Sequence, residues 1–305
     1  MNYNNQTIHK KQCVMNELQQ ALDKIHSADT LIIGASNGLS ISEGIHIFGS
    51  NQDFYDHFGD FAQKFGFNNI IRGCFYPFAP ENYWAYFARL YHYMNIKRPV
   101  TAVMNDLYQL VQDKNYFVVT SNFDNHFRLA GFDENRLFEI EGVGKDLECQ
   151  TCQSVFDGTD ILTQLAQIEN GEIATSDIPK CQECGGELKI HVQLDEHFVF
   201  DKTWQQKRHA YQDILAQGKH GNTVLLELGV GIRNQLIKQP FMQYTYLCNT
   251  PTKIPMPSIS ASIKASCGYP MKLQIVRWVS MAIWQALFTI GQQDDITAIF
   301  TRQYF

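Results

Sequence analysis

A chain of 305 residues has room for one large domain, or for one domain carrying a smaller insertion. Apolar residues make up 45%, enough for a true core, and a formal net charge of −6 argues against a general nucleic-acid binder. No apolar run reaches membrane-spanning length, and the opening MNYNNQTIHKK lacks the apolar segment of a secretory leader, so the expected location is cytoplasmic, without a membrane partner.

Residues 12–27 carry Val14, Leu18, Leu22 and Ile25 along one side of a predicted helix. A short apolar strand follows from Thr30 to Ile33, ended by Gly34, and its unbroken apolar run suits a sheet covered on both faces. The stretch from about 45 to 98 is rich in aromatics, is broken by Gly73, Pro77 and Pro80, and holds a predicted helix over 81–94. Its aromatic part, 70–87, suits a partner groove and plain core equally. Further strands are predicted over 114–122, 136–142, 222–231 and 243–250, with helical periods over 100–113 and 203–218. Strands alternating with helices predict an α/β, Rossmann-like parallel sheet with helices on both faces. Ligands of such sheets bind beyond the carboxyl ends of the strands.

Residues 143–200 look different, holding two cysteine pairs, several glycines and one helical period near DILTQLAQIE. They form the candidate inserted module. CQTC at 149–152 and CQECGG at 181–186 leave 28 residues between the pairs. Each pair can aim two thiolates at one ion. Four thiolates from Cys149, Cys152, Cys181 and Cys184 suit tetrahedral zinc and leave no coordination position open, so the site is structural. Two CxxC pairs also hold iron–sulfur clusters, which stays as the alternative. His191 and His197 lie nearby as packing or surface residues. Cys13, Cys74, Cys248 and Cys267 are expected to be ordinary thiols.

GASNGLSISEG at 34–44 follows the first strand. Gly34 and Gly38 would let backbone approach a pyrophosphate at a helix start, with Ser36, Asn37 and Ser40 as short donors. The same spacing also occurs in plain turns. It is neither a P-loop nor the GxGxxG fingerprint. TSNFDNHFRLAGF at 120–132 and EIEG at 139–142 cluster Asn122, Asp124, His126 and Glu141 at strand ends.

In this order, the glycine turn, TSNFDNHFRLAGF, EIEG and the paired cysteines resemble the sirtuin (Sir2) family of NAD-dependent protein deacylases and ADP-ribosyltransferases. Familiar members run GAGxSxxSGIPDFR, TQNxDxLHxxAG, ELHG, then the zinc cysteines. GVG at 229–231 stands where sirtuins place a GTS-like turn. IIRGCFYPFAPENYWAYF, DENRLFEIEG, DEHFVFDKTW and LLELGVGIRNQLIKQPF are similar to the microbial class M branch, associated with macrodomain proteins. That branch ADP-ribosylates a lipoylated glycine-cleavage-H-like carrier. The resemblance implies an NAD-binding Rossmann-like domain over 12–142 and 205–300, with a helical insertion at about 45–98 and a zinc module over 143–204. It implies NAD contacts at Gly34, Ala35, Ser36, Gly38, Phe48, Ser121, Asn122, Asp124, Gly229, Val230, Gly231 and Asn249, and catalytic roles for Asn122, Asp124 and Glu141. His126 stays outside the catalytic set.

The chain departs from the pattern at three places. His46, Ile47, Phe48 and Gly49 stand for Pro-Asp-Phe-Arg, Ser121 for the Gln of TQN, and Glu141 for the catalytic His, where class M members usually have Gln. The expected activity is ADP-ribosyl transfer to a protein, with the lipoylated carrier as candidate acceptor and a macrodomain hydrolase as functional partner. Deacylation is the alternative, followed by NAD hydrolysis or a silent NAD-binding module.

Overall fold

The computed structural model describes residues 19–168, 171–249 and 273–278. A helix over 19–27 (α1) leads into strand β1, Thr30–Ala35. Strands β2 (Asn115–Thr120), β3 (Leu137–Glu139), β7 (Thr223–Leu228) and β8 (Leu273–Trp278) join it in the order β3-β2-β1-β7-β8, every pairing parallel. All six residues of β1 and of β7 are buried, as expected of strands covered on both faces.

The pleat divides these side chains between two layers. Leu31, Ile33 and Ala35 pack with α1 and with helix α6, Ala102–Val111, through Met104, Leu107 and Val111. Ile32, Phe117 and Leu225 pack on the other face against α9 (Lys202–Gly218) and α10 (Gln235–Asn249) through Tyr211, Ile237, Phe241 and Tyr244.

In the run 243–250, expected as a strand, residues 243–249 form the end of α10, and residue 250 lies outside the described residues. Its aromatic and threonine content favours a strand locally. The winning pattern is Ile237, Phe241 and Tyr244, spaced four and three apart, which puts one apolar helical face on the sheet. Asn249 therefore ends a helix rather than following a strand, and its side chain lies outside the described residues. The fifth strand is β8, which the sequence pattern did not expose.

A third core lies beyond the sheet. It gathers helices α3 (Gln52–Phe65), α4 (Ile70–Cys74) and α5 (Pro80–His92) with Leu147, Cys149, Leu162, Cys181, Leu188 and Ile190. Apart from Cys181, which opens the second cysteine pair, the latter residues come from an antiparallel three-stranded sheet, β5-β4-β6, and from helix α8, Thr159–Leu165. Strand β4 is Gly142–Cys149, β5 is Val155–Asp157 and β6 is Leu188–Val192. The aromatic segment and the cysteine module thus share one apolar interior. Trp84, Tyr86 and Phe87 are buried in it, so these aromatics are core, whereas Phe75 is 61% exposed. Asn51 caps α3 by accepting from the Phe54 amide, and Gly66 ends it with φ +77°. After α5 the chain widens into one π-helical turn, Tyr93–Lys97. No helix among the described residues is long and apolar enough to cross a membrane.

Candidate functional site

The carboxyl ends of β1, β2, β3 and β7 meet along one rim. Between β1 and β7 the chain departs in opposite directions, the place where open α/β sheets bind ligands. Ser36 N–H donates to the Leu228 carbonyl (3.1 Å) and Gly38 N–H to the Gly229 carbonyl (3.1 Å). The two glycines lie backbone to backbone. A Cβ on Gly38 would stand 2.5 Å from Gly229 Cα, and one on Gly229, where φ is +64°, would stand 2.1 Å from the Leu39 nitrogen. A Cβ on Gly34 would stand 2.5 Å from Ile237 Cγ2. At Gly34 and Gly38 the absence of a side chain lets α10 and the β7 loop pack closely. The helix after them, α2 (Asn37–Ser42), is six residues long, and its Gly38 and Leu39 amides already have carbonyl partners.

Above this contact sits a network of short polar groups. Ser36 and Ser121 hydroxyls lie 3.1 Å apart. Asn234 Nδ2 donates to both, at 2.9 and 2.7 Å, while its Oδ1 accepts from the Ile237 amide at the start of α10. Asn234 was not singled out from the sequence. Its signal is an N-cap type of residue three positions after GVG, just before an apolar helical period. Val230 is half-buried beside the layer under α10, Gly231 is exposed with open space around it, Ala35 is fully buried, and Phe48 lies in a turn at 52% exposure.

At the end of β2 the Asn122 amide donates to Thr120 Oγ1 (3.0 Å), fixing the backbone turn. Asn122 is 5% exposed, and its Oδ1 is buried without a hydrogen-bond partner among the described residues. A buried acceptor left unpaired is costly unless a ligand donor meets it. Two residues on, Asp124 is also buried. Ser40 Oγ donates to its Oδ2 (2.5 Å), and the His126 amide donates to its Oδ1 (3.2 Å). The His126 ring spans from Glu43 Oε2 to the Met94 carbonyl, 2.9 Å from each. Burial opposes a charge on this ring, but the Glu43 hydrogen bond, the Asp124 and Glu43 carboxylates and the Met94 carbonyl outweigh it and lift the pKa to about 9.

Glu141 lies one residue past Ile140, whose amide donates to the Thr120 carbonyl (2.9 Å), so β3 delivers it to the same rim. Its own carbonyl accepts from Gln193 (2.8 Å), while its carboxylate has no hydrogen bond among the described residues. Burial raises its pKa above the ordinary glutamate value.

The cysteine module repeats one turn twice. Cys149 and Cys181 begin the knuckles. The residues after the second cysteines, Gln153 and Gly185, take left-handed φ of 61° and 74°, and their amides donate to the Cys149 and Cys181 carbonyls at 3.0 and 2.8 Å. The sulfurs of Cys149, Cys152, Cys181 and Cys184 all lie within 4.8 Å of one another. A tetrahedral ion with Zn–S bonds of ~2.3 Å has sulfur–sulfur edges of ~3.8 Å, and the Cys149–Cys184 and Cys152–Cys181 separations are 3.5 and 3.7 Å. The cluster fits structural zinc. His191 is held elsewhere, its Nδ1 2.9 Å from Glu148 Oε2 and its ring stacked on Phe198.

A model of the Sir2 family matches residues 34–214. The chain belongs to the Sir2 family. Among sirtuin relatives, it is 27% identical over 234 residues to the protein ADP-ribosyltransferase of Staphylococcus aureus, covering 75% of this chain and 73% of that protein. It is 25% identical over 199 residues to the NAD-dependent protein deacylase 2 of Pseudomonas aeruginosa, covering 64% of this chain and 73% of that protein. A solved structure of Sir2Tm bound to a propionylated peptide superposes with a TM-score of 0.42 at 16% identity, over 70% of this chain and 75% of that one. For the dinucleotide that the sirtuin resemblance implies, the rim provides a buried unpaired carboxamide oxygen and a line of short hydroxyls. Both suit a polar ligand with donors at one end.

Proposed function

We propose that this sirtuin is an NAD-dependent protein ADP-ribosyltransferase, and that the lipoylated carrier named by the class M resemblance is its acceptor. NAD supplies a ribose carbon made electrophilic by its bond to nicotinamide, the leaving group. Asn122 Oδ1 meets a carboxamide donor, which removes the penalty of its buried orphan state. Asp124, fixed by Ser40 and the His126 amide, holds the same end in register and contributes negative charge where the sugar becomes cationic. Glu141 receives the proton that the acceptor loses as its bond to the ribose carbon forms and the nicotinamide bond breaks. Closely packed backbone at Gly38 and Gly229 forms the floor under the site.

The observation that carries the reading is Glu141. The family resemblance places the deacylase histidine at this position, and here stands a carboxylate with no hydrogen-bond partner among the described residues and a pKa raised by burial. A raised pKa makes it a better proton acceptor near neutrality than a solvated glutamate. The Staphylococcus aureus relative, named for ADP-ribosyl transfer, supports the same reading. The Pseudomonas aeruginosa relative favours deacylation as the second reading. Incubation with NAD labelled in the adenylate and a lipoylated carrier tests both. Label on the carrier is the expected outcome. Release of acyl groups from an acyl-lysine peptide without labelled carrier would reverse the order. A macrodomain hydrolase that removes the label would then be the functional partner.

A further inference from the structure

The Glu43–His126 pair is not used by the chemistry above, yet it joins three separate elements at the edge of the site. Glu43 caps the end of α2, its side chain is 1% exposed, and Thr101 Oγ1 donates to its second oxygen at 3.0 Å. His126 begins helix α7, His126–Leu129, with a side chain also 1% exposed. Met94 lies in the π turn that follows α5. A widened turn shifts the regular ladder, which is how a helical carbonyl comes to serve an outside donor. A carbonyl can only accept, so Nε2 carries a proton. Nδ1 lies 2.9 Å from Glu43 Oε2, and the Glu43 and Asp124 carboxylates favour a proton there as well. The groups facing the ring are Glu43 from α2, Asp124 from the β2 loop and the Met94 carbonyl from the π turn, all negative or negatively polarised. The ring is therefore an imidazolium cross-link at neutral pH. Beside it, Asn125 Nδ2 donates to Asn95 Oδ1 at 3.0 Å, a second tie between the same loop and the same turn.

We propose that His126 is a positioning residue. Clamped between Glu43 and the π turn, it fixes the loop 122–126 so that Asp124 and Asn122 face the nicotinamide end of the dinucleotide, and it makes that end depend on how the helical lobe sits on the sheet. The backbone amide of His126 is itself the donor to Asp124 Oδ1, so movement of the ring moves the carboxylate. Ser36, Ser121 and Asn234 bind one another across the ends of β1, β2 and β7, and among the described residues none of their side chains bonds to Glu43 or His126. The adenylate half is then independent of His126 while the nicotinamide half is not.

This inference rests on the NAD reading, and calorimetry separates the two. The wild-type chain is titrated with NAD and with ADP-ribose, which lacks nicotinamide. Binding of neither sinks the NAD reading itself. With wild-type binding established, His126→Gln is expected to weaken NAD about 10-fold and leave ADP-ribose within about twofold. Unchanged affinity for both, or an equal loss for both, overturns the clamp. Should His126→Gln not fold because Glu43 is left charged and buried, Thr101→Val decides. It removes one hydrogen bond from Glu43 at nearly constant volume, and about threefold weaker NAD with unchanged ADP-ribose is expected. Equal affinities for that variant and the wild type refute the proposal. In the variant that folds, KM for NAD rises more than kcat falls, a split that general destabilisation does not produce.

Discussion

The cysteine module and the strand-end rim are both polar sites built on apolar cores, but they are assembled differently. In the module each half of the site is four consecutive residues, closed by its own hydrogen bond and its own left-handed residue, Gln153 or Gly185. Only the approach of the two knuckles is tertiary. At the rim, Asn234 reaches Ser36 across 198 residues of sequence and Ser121 across 113, and Ser40 reaches Asp124 across 84. A site made of local turns is carried by its spacing. A site made of strand ends exists only when the sheet order brings the ends together.

The sharpest break of that contrast is at the metal. Cys149→Ser removes a ligand whose residue is fully buried in the shared core. Loss of zinc by elemental analysis and a fall of roughly 5 kcal/mol in stability by denaturant titration are expected, since structural zinc contributes folding free energy directly. Because Leu147, Leu188 and Ile190 share that core with Trp84 and Tyr86, the aromatic helices should loosen as well, visible as raised tryptophan quenching.

At the rim the largest effect is expected from Gly229→Ala, which adds a Cβ in a left-handed conformation and against the Leu39 nitrogen. About 3 kcal/mol of destabilisation is expected, with NAD binding lost, because both the strain and the contact must relax. A variant as stable as wild type would show that the β1 and β7 loops are not tightly joined. Asn122→Ala should leave the melting temperature within a few degrees, since its Oδ1 has no hydrogen-bond partner among the described residues, yet reduce transfer about 100-fold.

The smallest effect is expected at Glu141, and it has a signature in pH. The folded pKa is raised, so the unfolded chain ionises first, and an ionised Glu141 costs stability once pH passes its unfolded value. Glu141→Gln removes that cost. The variant should be at least as stable as wild type at neutral pH while transferring about 10-fold more slowly. Wild-type transfer should climb as pH rises through the Glu141 pKa, and the Gln variant should lose that limb. Persistence of the limb in the variant would assign it to another group.

Much of the fold was open to reading from the chain. Thr30–Ala35 and Thr223–Leu228 are apolar enough to announce a doubly covered sheet, and both cysteine pairs announce a metal knuckle. What the chain left hidden has one cause. Tyr244, Thr245 and Tyr246 have strand-like side chains, and only the sheet beneath them selects the helical face. Gly34 and Gly38 look like ligand-clearing glycines, and only the neighbours Ile237 and Gly229 show what they make room for. Glu43 carried no signal, because its partner His126 lies 83 residues away.

What the sequence determined by itself is the set of short-range commitments: strand or turn chemistry, the two knuckles, the carboxamide and carboxylates at strand ends. These depend on φ/ψ preferences, burial and spacing within a few residues, all of which are written locally. Tertiary structure alone decided which helix lies under Gly34, which loop touches Gly38, and which ring holds the Asp124 loop. Each of those is a contact between distant segments, set by sheet order and close packing, and none is encoded in any one stretch of chain.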